Sequence, residues 1–104
     1  MTTVVNASQR NRYEVYFDGD LAGLAEYLEH DNQRIFYHTE IGTEFGGKGL
    51  ASTLIRRALE DTVGAGLRIV ALCPFVKGYV DKHDELTASV DAPSAETVAL
   101  VRDR

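Results

Sequence analysis

The sequence predicts an α/β domain: a mixed sheet that opens with an antiparallel hairpin and continues into a βαβ unit holding a glycine-rich loop. Three observations predict it. Residues Arg12 to Phe17 alternate, with Tyr13, Val15 and Phe17 on one face and Glu14 and Tyr16 on the other, as a half-buried strand requires. Gly42 to Gly49 holds four glycines in eight positions, and an amphipathic repeat follows it directly. Leu67 to Cys73 is nearly all apolar, the signature of a strand covered on both faces. Strand, glycine loop, helix and buried strand make a βαβ unit, whose strands run parallel with a right-handed crossover.

Each element has its own local reason. Asp18-Gly19-Asp20 is a hairpin turn, because Gly19 takes positive φ freely, and Leu21 to Leu28 is the hairpin partner. Asp31-Asn32 is a second turn signal. Arg34 to Ile41 is β-branched and aromatic; its period of two puts Phe36, His38 and Glu40 on one face and Ile35, Tyr37 and Ile41 on the other. Leu50, Ala51, Leu54, Ile55, Ala58, Leu59 and Val63 recur at helical spacing, which predicts a helix from about Lys48 to Gly64, stopped by Gly64 and Gly66. Pro74 ends the buried strand. Phe75, Tyr79 and His83, with Val76 and Val80, then form one face of a short helix, whose end His83 caps. The tail from Asp84 is polar, and Pro93-Ser94 starts a last helix through Asp103.

Composition bounds the rest. The chain has 104 residues, 44% hydrophobic and 26% charged, with 11 Lys+Arg against 16 Asp+Glu and a net charge of −5. That is the make-up of one soluble domain, residues 1–104, with a single core. The acidic balance argues against nucleic acid and anionic membrane as partners. The single cysteine, Cys73, cannot form an internal disulfide, and Met1 to Arg12 lacks the apolar stretch of a signal peptide. The expectation is a cytoplasmic protein.

A glycine loop between a strand and a helix lets successive N–H groups converge at the positive end of the helix dipole, where phosphate oxygens fit. A tight turn without a ligand is the plain alternative. Gly42, four residues, Gly47 and Lys48 nearly meet the P-loop pattern, but Gly49 stands where a Ser or Thr must hold magnesium. The following strand also has no Asp for a metal. The dinucleotide fingerprint fails too, since Ser52 stands where its third glycine belongs.

Gly46-Gly47-Lys48-Gly49-Leu50-Ala51 resembles the Arg/Gln-x-x-Gly-x-Gly/Ala loop of the GNAT superfamily of N-acetyltransferases. His38-Thr39-Glu40-Ile41 before the loop, and Leu72-Cys73-Pro74-Phe75-Val76 through His83 after it, extend the likeness to the small single-domain GNAT-like enzymes. It covers about residues 12–86 and leaves the tail, 87–104, without a counterpart. One position departs: Gly46 stands where the family has Arg or Gln, so a side-chain contact is missing while the backbone cradle remains.

The resemblance implies a GNAT-like mixed sheet, acetyl-CoA as co-substrate, an amine as acceptor and no metal. It implies that the two parallel strands part at their C-terminal ends. The acyl-pantetheine arm would lie in that gap along Ile41, and the pyrophosphate on Gly46, Gly47, Lys48, Gly49, Leu50 and Ala51. Cys73, Phe75 and Tyr79 would line the same cleft. Acetyl transfer needs a base for the amine, a donor for the oxyanion and an acid for the leaving thiolate. Glu40 is the first candidate for base and His38 the second, both otherwise a solvated strand face. A backbone N–H near Ile41 is the oxyanion donor, and Tyr79 sits where many GNAT enzymes place the acid. Cys73 is chemically able to carry the acetyl group, but a free cysteine at a strand end more often packs as a small apolar residue. The sequence thus points to an N-acetyltransferase working by direct transfer. A non-catalytic CoA-binding or regulatory module is the alternative, and a P-loop-like nucleotide binder a more distant one.

Overall fold

Two dipeptides shape the first half of the chain. In the computed structural model, which describes residues 1–104, Asp18 and Gly19 have φ of 50° and 88°, and Asp31 and Asn32 have 50° and 66°. Positive φ at both central residues gives the tight turn whose twist matches the strands it joins. These turns fold β2 (Arg12–Phe17), β3 (Asp20–His30) and β4 (Gln33–Ile41) into an antiparallel meander. The polar N-terminal segment, which the sequence left unassigned, forms an outer strand β1 (Thr2–Ala7) antiparallel to β2. After the glycine loop come α1 (Leu50–Gly64), β5 (Arg68–Ala71), α2 (Pro74–Asp81), β6 (Val90–Asp91) and α3 (Ala95–Arg102). β5 pairs parallel with β4, and β6 parallel with β5, giving a six-stranded sheet in sequence order.

The main core lies on one face of this sheet. Leu50, Leu54, Ile55, Ala58 and Leu59 of α1 pack on Tyr13, Val15, Ala25, Tyr27, Phe36 and Ile69, and α2 adds Val76 and Val80. Each such large side chain stabilises the fold by about 1.5–3 kcal/mol when fully buried. Thr62 occupies the buried place expected of Val63, which is exposed instead. Arg34, buried at the end of this core, donates to Tyr13 Oη at 2.5 Å and to Glu29 Oε2 at 2.8 Å, and its guanidinium lies 4.8 Å from the Tyr27 ring centre. Burial pushes the Tyr13 phenol far above its usual value, and its hydrogen bond to Asp61 adds to the shift. The second face buries Ile35 and Val70. There α3, opened by a capping box at Ser94, reaches His30 through Glu96, and Arg104 lies 4.2 Å over the Tyr37 ring.

Three further expectations change. The period of two does not hold along β4, because Tyr27 pairs with Phe36 while Glu26 pairs with His38. Tyr37 is therefore an extra residue, a bulge that reverses the facing of everything after it. Phe36 stays in the core, while Thr39 is buried, Ile41 packs against the core, and His38 and Glu40 face the other way. The helix begins at Leu50 rather than Lys48. The tail, finally, is built into the sheet: Asp91 of β6 accepts from Arg68 at 2.7 Å and from Gln33 at 2.9 Å.

Candidate functional site

β4 continues where β5 stops. The last paired residues are Phe36 and Ala71, and the Phe36 carbonyl accepts from both Leu72 and Cys73 N–H at 2.9 and 3.0 Å. The chain then turns into α2, with Pro74 opening the helix, so residues 37–41 of β4 have no strand beside them on that side. Gly42 N–H donates to Ala22 O at 2.8 Å. By the alternation of an antiparallel pair, Ile41 N–H and C=O point the opposite way, into the open edge.

The glycine loop stands at the end of that edge. Gly42 leads into a single tight turn, Thr43–Phe45, and Gly47 and Gly49 take φ of 79° and 69°. A Cβ at either would meet nothing within 4 Å, so these two glycines are required for backbone direction rather than for space. The first bond of the helix runs from Thr53 N–H to Gly49 O, and no side chain caps α1. The backbone N–H groups from Gly47 through Ser52 accordingly find no acceptor in the chain. They form a run of free donors where the helix dipole is positive. Lys48 does not lean over them: its ammonium lies 4.8 Å from the Phe17 ring centre.

Between α1 and α2 runs a groove of about 500 Å³, lined by Ala51, Arg56, Phe75, Tyr79, Lys82 and His83 among others. The short helix therefore has two faces where one was expected. Val76 and Val80 are buried, whereas Phe75 is 53% exposed and turned to the groove. Tyr79 does not pack on Phe75 but stacks on His83 at 3.9 Å. His83 Nδ1 bonds Tyr79 O at 2.7 Å, closing the helix end as expected. Burial raises the Tyr79 phenol above its ordinary value, so its proton is retained at neutral pH. Cys73 is buried, and its thiol donates to Thr39 Oγ1 at 3.2 Å.

His38 and Glu40 lie across the sheet from these groups. Both are exposed, and His38 Nε2 meets Glu40 Oε2 at 2.8 Å. A carboxylate only accepts, so Nε2 carries the proton. Beside Glu40 a second hollow, of about 380 Å³, is walled by Leu21, Leu24, Ile41 and Thr43.

The structure thus gathers Ile41, Gly47, Gly49, Leu50 and Ala51 along one edge, puts Phe75 and Tyr79 in the groove beside it, and sets His38 and Glu40 behind it. Cys73, expected in the same cleft, does not line that groove but is buried against Thr39. Gly46 joins the loop only by its backbone. Two residues escaped sequence reasoning. Thr39 gave no signal, since a threonine is ordinary in a strand. Gly23 did give one, a glycine inside a strand: a Cβ there would stand 2.5 Å from Ile41 Cδ1 and 2.6 Å from Glu40 O.

A family model described as GCN5-related N-acetyl-transferase matches residues 12–90. Among solved structures, a GCN5-like protein of Staphylococcus aureus, named as a candidate N-acetyltransferase, is similar with a TM-score of 0.65 and 21% identity. That likeness covers 89% of this chain and 91% of the other. Among curated proteins no relative matches.

Proposed function

The chain belongs to the family of GCN5-related N-acetyltransferases, whose chemistry is acyl transfer, and from that premise we propose that it moves an acetyl group from acetyl-CoA directly to an amine. One observation carries the reading: the run of free N–H groups from Gly47 to Ser52 lies at the end of the open β4 edge. Six donors at a helix start fit a pyrophosphate, and an unpaired strand edge fits the amides of an extended pantetheine arm.

The residues divide the work as follows. Gly47, Lys48, Gly49, Leu50 and Ala51 hold the phosphates through backbone N–H, while Phe75 and Tyr79 line the groove beside them. Ile41 N–H donates to the thioester oxygen as negative charge develops on it. Glu40, with His38 bonded to it, takes the proton of the amine, directly or through water. The nitrogen–carbon bond forms, the carbon–sulfur bond breaks, and Tyr79 O–H protonates the departing thiolate. Cys73, enclosed and bonded to Thr39, has a packing role.

Thermal denaturation tests the assignment. A ligand bound only by the native state adds about 2.7 kcal/mol at one hundred times its dissociation constant, which for a domain of this size raises the melting temperature by on the order of 10 °C. Acetyl-CoA should give that shift and ATP with magnesium should not. Gly49→Asp should lose it while keeping the circular dichroism of the fold. A shift with ATP-magnesium and none with acetyl-CoA would overturn the reading. Because Gly46 offers no side chain to the ligand, a CoA-binding module without turnover is the second reading; binding of acetyl-CoA without transfer to any amine would favour it.

A further inference from the structure

His30, the last residue of β3, holds an imidazole nitrogen, Nε2, that is enclosed and has no hydrogen-bond partner. Two carboxylates converge on it, one from the next residue in the chain and one from α3, far along the sequence. Asp31 Oδ2 lies 3.3 Å away and Glu96 Oε1 3.6 Å away, and the three atoms fall within 4.8 Å of one another. The His38–Glu40 pair, by contrast, closes to 2.8 Å. Around a tetrahedral ion with nitrogen and oxygen ligands at about 2.0–2.1 Å, neighbouring ligand atoms stand about 3.3–3.5 Å apart. Asp31 Oδ2 therefore stands from His30 at the spacing of ligands that share an ion, and Glu96 Oε1 just beyond it. An enclosed imidazole nitrogen without a partner is also costly, and a cation placed among the three would satisfy it.

We propose that His30, Asp31 and Glu96 form a binding site for a divalent transition-metal ion, with Zn²⁺ the best match to one imidazole and two carboxylates. Calcium and magnesium, which take oxygen ligands, fit it less well. Asp31 and Glu96 are exposed, which gives the ion a way in and leaves a fourth position to water. Asp31 belongs to the β3–β4 turn and Glu96 to the first turn of α3. The ion is a staple between the C-terminal helix and the sheet, at the opposite end of β4 from Ile41 and independent of acyl transfer.

The test uses the full chain, stripped with a chelator and titrated with Zn²⁺ by calorimetry and with Co²⁺ by visible absorption. One ion per chain is expected, with a melting temperature raised by on the order of 10 °C at free Zn²⁺ one hundred times its dissociation constant. Glu96→Gln, a change on the exposed helix surface, and His30→Ala should each abolish this uptake, with circular dichroism confirming that both variants fold. No saturable uptake by the wild type would overturn the proposal and leave the cluster a side-chain contact only. Uptake unchanged in both variants would also overturn it, placing the ion elsewhere, as at His38 and Glu40.

Discussion

Glu40 and His38 are bonded to each other in the open, 2.8 Å apart on the sheet face turned away from α1. That position separates their influence from the grip on the co-substrate, which we propose the loop amides provide. A base acts on the acceptor, so replacing Glu40 by Gln should lower turnover by roughly 10²-fold or more. The melting shift given by acetyl-CoA should remain, since none of the loop amides changes. Steady-state kinetics with an accepted amine checks both statements together. Turnover equal to wild type would pass the role of base to His38 or to water.

At the scale of elements, β4 is held by what lies beside it. Gly23 of β3 faces Ile41, and the space for its missing side chain is already filled by Ile41 Cδ1 and the Glu40 carbonyl. Gly23→Ala forces backbone apart at that point and should cost about 1–3 kcal/mol, as overpacking does, read as a lower urea midpoint; an unchanged midpoint would show that the strands yield freely. The hairpins, α1, β5 and α3 were legible in the sequence because each carries a local cause: two turn dipeptides, a helical stripe, an apolar run and a Ser94 cap. β1 and β6 were not. Thr2–Ala7 is an exposed edge strand with no apolar alternation, and Val90–Asp91 is a pair of residues whose place is fixed by Arg68 and Gln33 from elsewhere. The bulge escaped for another reason. A period of two is the premise of strand reading, and nothing at Tyr37 itself announces that the period is broken. Of the site, the glycine loop was plain from its composition. The pairing of Cys73 with Thr39, and the gap beside Ile41, depend on where β5 ends.

At the scale of the whole molecule, acid and alkali act through groups that the fold has already shifted. Burial alone would raise Glu14, but hydrogen bonds from Tyr16, Arg12 and Arg10 outweigh it and hold its carboxyl below the usual range. Hydrogen bonds from Arg68 and Gln33 lower Asp91 likewise. A carboxylate depressed in the native state stabilises it above the unfolded value, about pH 4, and that stabilisation is lost as pH falls through the native value. Tyr13 and Tyr27 are raised, first by burial, so their contribution is intact below about pH 10 and is lost as pH rises beyond it. Urea midpoints should be level between about pH 5 and 10 and decline on both sides, with a shallower acid limb in Glu14→Gln; an acid limb of the same slope in that variant would show that Glu14 has no part in it. The extra residue at Tyr37 has a broader consequence. It gives a single strand two working sides, so the proposed donor and acceptor reach one carbonyl from opposite sides of the sheet. If transfer runs as proposed, traffic through the site would need no queue: neither substrate would have to depart before the other arrives, and the two products would have separate exits.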